Sequence, residues 1–195
     1  MVCAIVLAAG ESRRMGTPKP LLPFGRHCVI EQVVRSLQRC PIDRVLVVLG
    51  HRHEAIEPVV RPLDVQVVLH PEYRRGMLSS VQAGIAAAPA EATWLFIHPV
   101  DHPHVLPEVV AAQLAAGQEG RGTIVVPTHG GRRGHPLLIH ARYRDEIATL
   151  DPQIGLRELL RRHPDAIHHL AVETDAILRD LDTPADYERE APSSE

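Results

Sequence analysis

The apolar positions of the chain follow two rhythms that alternate. Val2 to Ala9, Arg44 to Leu49, Val65 to Leu69, Thr93 to His98 and Thr123 to Val126 are short apolar runs rich in β-branched residues, which predicts strands. Between them, Val29 to Leu37 places Val29, Ile30, Val33, Val34 and Leu37 at helical spacing. Glu54 to Val60, Met77 to Ala88 and Pro107 to Ala116 read as further helices, the last two stopped by Pro89 and Gly117. Strands that are apolar throughout, rather than alternating, are covered on both faces. The pattern therefore predicts a three-layer α/β/α fold, with a mostly parallel, Rossmann-like sheet and helices on both sides. Further on, Pro136 to His140 and Ile167 to Val172 are strand-like and Leu156 to His163 is helical. Thr183 is placed to cap a last helix that opens on Pro184. One domain over residues 1–190 is expected, with a polar, disordered tail over 191–195.

Composition narrows the function. The 45% of hydrophobic residues is ample for a core, whereas a net charge of −3 supplies no basic face for nucleic acid. Aromatic residues are only 3%, so stacking platforms for single strands are missing too. Cys3, Cys28 and Cys40 form no paired pattern, as expected of reduced thiols. The first residues run directly into a strand with no basic region or cleavage site. No apolar run approaches the roughly 18 residues of a membrane span. A soluble, cytoplasmic protein with neither nucleic-acid nor membrane partners is expected.

Ligands of such sheets bind at the carboxyl ends of the strands. After the first strand, Leu7-Ala8-Ala9-Gly10 brings small residues whose backbone N–H groups can approach an anion or a base. Arg14 and Lys19 follow and can neutralise a triphosphate. Neither the P-loop pattern nor Gly-x-Gly-x-x-Gly is present, and a plain strand-to-helix turn with solvated basic residues fits the same string. After the third strand, Gly76, Ser79 and Ser80 open a helix, whose free N–H groups suit a nucleotide; a simple helix cap is the alternative. After the fourth strand stands Asp101, a carboxylate suited to Mg²⁺, which takes one or two protein carboxylates plus substrate phosphates. His98, His102 and His104 flank it, but loose spacing and the lack of a cysteine argue against zinc. Arg133 and His135 lie in a glycine-rich basic turn and suit an anionic second substrate. Arg157 starts a helix and suits the same role or plain surface exposure.

The string Leu7-Ala8-Ala9-Gly10-x-Ser12-x-Arg14-Met15-Gly16-x-x-Lys19-x-Leu21-Leu22 resembles the signature of the molybdopterin nucleotidyltransferase-like superfamily, and is most similar to the molybdenum cofactor cytidylyltransferase branch. The paired alanines match the cytidylyltransferase form, whereas guanylyltransferases carry Leu-Ala-Gly-Gly. Gly76-Met77-x-x-Ser80, Asp101-x-Pro103, Arg133-Gly134-His135-Pro136, Gly155-Leu156-Arg157 and Asp180-x-Asp182-Thr183-Pro184-x-Asp186-Tyr187 extend the resemblance over residues 1–189. One departure is His70, where the family commonly has Asn.

The resemblance implies the nucleotide-diphospho-sugar transferase-like fold and Mg²⁺-dependent transfer of CMP from CTP to the phosphate of molybdopterin, with release of pyrophosphate. Mn²⁺ would serve as a substitute. It implies that Leu7, Ala8, Ala9, Gly10, Arg14, Lys19, Gly76, Ser79 and Ser80 bind the nucleotide, and that Arg14, Lys19 and Asp101 carry catalysis. Arg133, His135 and Arg157 would hold the acceptor, and Asp180 or Asp182 would join Asp101 on the metal. The implied partners are CTP, molybdopterin and a molybdoenzyme. Transfer of GMP, transfer to a sugar phosphate or other phosphometabolite, and a nucleotide-binding maturation chaperone stay open as alternatives.

Overall fold

β1 (Val2–Ala8) is buried along its whole length, and the other elements are arranged around it. The computed structural model describes residues 1–192. A small hairpin of β2 (Pro23–Phe24) and β3 (His27–Cys28) leads into α1 (Val29–Gln38). There follow β4 (Arg44–Leu49), α2 (His53–Val60), β5 (Gln66–Leu69), α3 (Met77–Ala87), β6 (Trp94–Pro99) and α4 (Pro107–Gln118). The last third holds β7 (Ile124–His129), β8 (Arg132–Arg133), β9 (Leu137–His140), α5 (Arg144–Thr149), α6 (Arg157–Arg162), β10 (Ile167–Ala171) and α7 (Pro184–Glu190).

Apart from the β2–β3 hairpin, the strands form one sheet in the order β10-β7-β9-β6-β1-β4-β5, with β8 paired to β7. β1 runs parallel to β4 and β6, β5 to β4, and β10 to β7. β9 is antiparallel to both of its neighbours. The expected three-layer, mostly parallel architecture is thus observed.

The pleat of β1 explains the two layers of helices. Val2, Ala4, Val6 and Ala8 face one way and pack with Val33 and Leu37 of α1, Ile56 of α2 and Val110 and Leu114 of α4. Cys3, Ile5 and Leu7 face the other way and pack with Leu78, Val81 and Ile85 of α3, Ile147 of α5 and Leu159 of α6. Gly84 sets how closely α3 approaches the sheet. A Cβ there would collide with Ile5 Cγ2 and lie 3.0 Å from Val48 Cγ2. Gly84→Ala is therefore expected to cost about 1–3 kcal/mol of stability, read as a lower urea midpoint.

Some pieces were not expected. α5 has one buried side chain, Ile147, so it leaves no helical period to detect. It is held instead by Arg144, whose guanidinium donates to Ile85 O at 3.0 Å and Pro89 O at 2.7 Å beyond the end of α3. The two-residue β2, β3 and β8 are likewise too short to show a pattern. Thr183 caps α7, as the sequence predicts, and Asp186 completes the cap as a reciprocal box. Ala191 still donates its N–H to Tyr187 O at 2.8 Å, and residues 193–195 of the expected tail lie outside the described residues. Among the described residues no helix is long and apolar enough to cross a membrane.

Candidate active site

The carboxyl ends of β1 and β6 are adjacent because the two strands pair directly. The loop leaving β1 turns at Ser12, which adopts a left-handed backbone (φ 52°) uncommon outside glycine. That turn lets the Ser12 carbonyl accept from Met15 N–H at 3.0 Å and Gly16 N–H at 3.2 Å. Its hydroxyl accepts from the backbone N–H of Lys19 at 3.0 Å. Lys19 is thereby carried inward until only 8% of it is exposed.

The Lys19 ammonium meets two carboxylates from distant parts of the chain. Nζ lies 2.6 Å from Asp182 Oδ1 and 3.1 Å from Asp101 Oδ2. A backbone bond from Leu181 N–H to Asp101 O at 2.9 Å fixes the segment 180–182 against the loop after β6. Arg14 Nη1 adds a second cation, 2.8 Å from Asp182 Oδ2. Lys19 first, then Arg14, hold the Asp182 carboxyl below its usual range, against the opposing effect of burial.

Around this cluster lies a cleft of ≈ 630 Å³ lined by Gly10, Arg14, Lys19, Asp101, Asp180 and Asp182, with His102 and His135 at one side. It merges with a narrower cavity of ≈ 230 Å³ whose wall is Leu7, Ala8, Ala9 and Gly10, faced by Gly76 and Ser80. Most of the residues singled out in the sequence therefore converge. The carboxylates Asp101 and Asp182 share one cation, and Asp180 stands on the same cleft. Among the described residues no three His, Cys, Asp or Glu side chains form a cluster able to hold a metal alone.

Two expected site residues lie elsewhere. Ser79 is buried, and its hydroxyl donates to Gly76 O at 2.7 Å while sharing a 2.8 Å bond with His70 Nε2. It braces the start of α3 rather than lining the cleft, and His70 is its partner. Arg133 is exposed on β8 and donates from Nε to His169 Nε2 at 3.2 Å, because the hairpin turns it outward. Arg157 borders a third, carbon-lined cavity beside the cleft, and His135 stands at the junction of the two.

Several lining residues gave no signal in the sequence. Tyr73 lines the cavity beside Met77 of the Gly76-Met77-x-x-Ser80 string. Glu11 is salt-bridged to Arg74 at 2.9 Å and to Arg13 across the rim, and both arginines lower its carboxyl pKa, Arg74 the more. Only the fold brings Arg74 to Glu11, 63 positions away, so no local pattern marks the pair.

Burial holds the histidines around Asp101 neutral, and of them His102 lines the cleft with His135. His98 is fully buried, donates from Nε2 to His102 O at 2.8 Å, and has its pKa pushed by burial to about 3. The His102 and His135 rings lie 4.6 Å apart, and burial lowers both, His135 to about 4. His104 packs edge-on to Phe24 and lies 3.3 Å from Glu190. Since the unfolded chain binds these protons near pH 6.5 and the native one does not, stability present above pH 6.5 is lost as pH falls toward 3. For His98 the loss at pH 5 is roughly 2 kcal/mol. Urea midpoints at pH 7 and 5 should show it, and His98→Gln should flatten the difference.

The fold is α/β, with its main cleft at the carboxyl edge of the sheet. The chain belongs to the MobA-like NTP transferase domain family, whose model matches residues 4–167, and it is a nucleotidyltransferase. It is 26% identical to the molybdenum cofactor cytidylyltransferase of Escherichia coli K12 over 185 residues, covering 94% of this chain and 92% of that one. It is 28% identical to nicotine blue oxidoreductase of Paenarthrobacter nicotinovorans over 189 residues, covering 93% and 92%. Among solved structures, the manganese complex of Rv0371C from Mycobacterium tuberculosis H37Rv superposes with a TM-score of 0.82 at 26% identity, covering 98% of both chains. The family binds nucleoside triphosphates and phosphorylated substrates.

Proposed function

We propose that the protein transfers CMP from CTP to the phosphate of molybdopterin, releasing pyrophosphate. The observation that carries this reading is the convergence of Lys19, Asp101 and Asp182 beside the small-residue wall Leu7–Gly10. Two aligned carboxylates and a buried ammonium suit a reaction that needs charge neutralisation and positioning rather than a covalent intermediate. The similarity to the Escherichia coli enzyme and the Ala8-Ala9 pair support cytosine and molybdopterin.

The residues divide the work. Ala8, Ala9 and Gly10, with Gly76 and Ser80 opposite, take the base and sugar. Arg14 and Lys19 neutralise the β- and γ-phosphates and the pyrophosphate that leaves. A phosphate oxygen of the acceptor forms the new bond to the α-phosphorus as the bond from that phosphorus to the bridging oxygen of pyrophosphate breaks. The acceptor phosphate is already anionic, so no general base is required. Asp101 and Asp182, and Asp180 beside them, offer the oxygen donors that Mg²⁺ or Mn²⁺ takes. When bound there, such an ion supplies Lewis-acid polarisation of the α-phosphate.

Gly10 tests the binding wall. Neither a positive φ nor packing requires glycine there, since an added Cβ would meet nothing within 4 Å. The open space is cleft, so Gly10→Val is expected to raise the KM for CTP about tenfold. Its unfolding midpoint should match the parent's. Thermal-shift titrations with CTP, GTP, UTP and ATP, each with Mg²⁺, decide the base: stabilisation by CTP is expected, and stabilisation by GTP alone would contradict the cytidine assignment.

A further inference from the structure

Gly76, which faces the small-residue wall across the nucleotide cavity, has a backbone open only to glycine: φ is 115° and ψ 165°. An added Cβ would also lie 2.9 Å from Pro152 O. A turn of this kind keeps one shape only where its surroundings hold it there. The holding group is the Ser79 hydroxyl, which donates to Gly76 O at 2.7 Å beside the Ser79 N–H at 3.0 Å.

Ser79 is held in turn by His70. Its side chain is buried, and His70 Nε2 lies 2.8 Å from its oxygen. The first bond fixes the direction of the second. A hydroxyl has one proton to give. Given to His70, it would leave the lone pairs of two oxygens facing each other at 2.7 Å. The proton therefore goes to Gly76 O, and His70 Nε2 donates to Ser79. Burial, opposed by Glu72 and aided by Arg75, lowers the His70 pKa below the usual imidazole value, so at neutral pH the ring is neutral and its one proton sits on Nε2. The post is firm. The His70 backbone N–H donates to Leu49 O at 2.8 Å, which extends the parallel pairing of β5 with β4 past Leu69. His70 lines neither the nucleotide cavity nor the cleft.

We infer that His70 is a positioning residue for the nucleotide: as a hydrogen-bond donor at the end of β5 it fixes the Ser79 hydroxyl, and through it the Gly76 turn, in the shape that receives the base and sugar. The inference rests on the reading of Gly76 and Ser80 as nucleotide contacts. What the position requires is an N–H at the reach of Nε2, supported from a rigid strand. Glutamine carries an amide N–H at that reach. Leucine fills the space and carries none.

The test is isothermal titration of CTP with Mg²⁺ into the full chain and its variants, with urea midpoints measured alongside. His70→Leu is expected to weaken CTP binding about tenfold, the usual effect of losing one hydrogen bond. His70→Gln is expected to bind CTP as the parent does. Ser79→Ala should show the same loss as His70→Leu, and the double variant no more than either alone, because both act along one chain of bonds. Nitrogen-15 spectra of the neutral ring should place the His70 proton on Nε2. A His70→Leu variant with the parent's affinity would overturn the inference, even if its urea midpoint falls, since that is the mark of packing alone. So would a His70→Gln variant as weak as His70→Leu, losses that multiply in the double variant, or a proton on Nδ1. Any of these in a parent that binds CTP leaves nucleotidyl transfer standing and removes the role of His70. A parent that binds none of CTP, GTP, UTP and ATP removes the transfer reading itself, and the inference with it.

Discussion

Lys19→Met is expected to lower pyrophosphate release by about 10³-fold or more, equivalent to roughly 4 kcal/mol of transition-state stabilisation. Methionine keeps the apolar stem and removes the charge. The loop geometry should persist, because the Ser12 hydroxyl binds the backbone N–H of Lys19 and not its side chain. What disappears is the ammonium 2.6 Å from Asp182 and 3.1 Å from Asp101, a cation that both carboxylates share. Without it, two like charges face each other where a triphosphate must arrive. Arginine is not expected to rescue the loss, because its planar fork does not reproduce a compact ammonium donating to two groups. Steady-state pyrophosphate release checks the rate, and circular dichroism with a urea titration checks the fold. Turnover near that of the parent would remove Lys19 from the chemistry.

Asp101→Asn is expected to produce a loss of about 10²–10³-fold in kcat, with nucleotide binding in chelator retained. The substitution keeps shape and removes one negative charge. The backbone link from Leu181 N–H to Asp101 O is indifferent to the side chain, so segment 180–182 should stay in place. The effect then falls on affinity for the divalent cation, and raising Mn²⁺ or Mg²⁺ should recover part of the rate. A variant that loses activity but shows an unchanged metal requirement would place Asp101 outside the metal site.

The layers were legible in the sequence because continuous apolar strands leave only one economical arrangement, a sheet covered on both faces. The loop from Leu7 to Lys19 stood out because its small residues and its basic residues lie close together in sequence. The pairing of Asp101 with Asp182 was only suggested by resemblance, since no local pattern joins residues 81 positions apart and the Leu181–Asp101 backbone bond is a product of the fold. Ser79 and Arg133 show the converse. Residue type favoured both as ligand contacts, but His70 engages the Ser79 hydroxyl, and the short β7–β8 hairpin turns Arg133 toward His169. Tyr73 and the carbon-lined cavity could not be read in advance, because apolar residues in a wall and apolar residues in a core have the same pattern along the chain.

The most direct measurement is a product assay with molybdopterin, Mg²⁺ and each of CTP, GTP, UTP and ATP in turn. Pyrophosphate and a cytosine dinucleotide are expected from CTP, with far less product from the other three. Dinucleotide from GTP alone, or from none of the four, would contradict the proposed reaction.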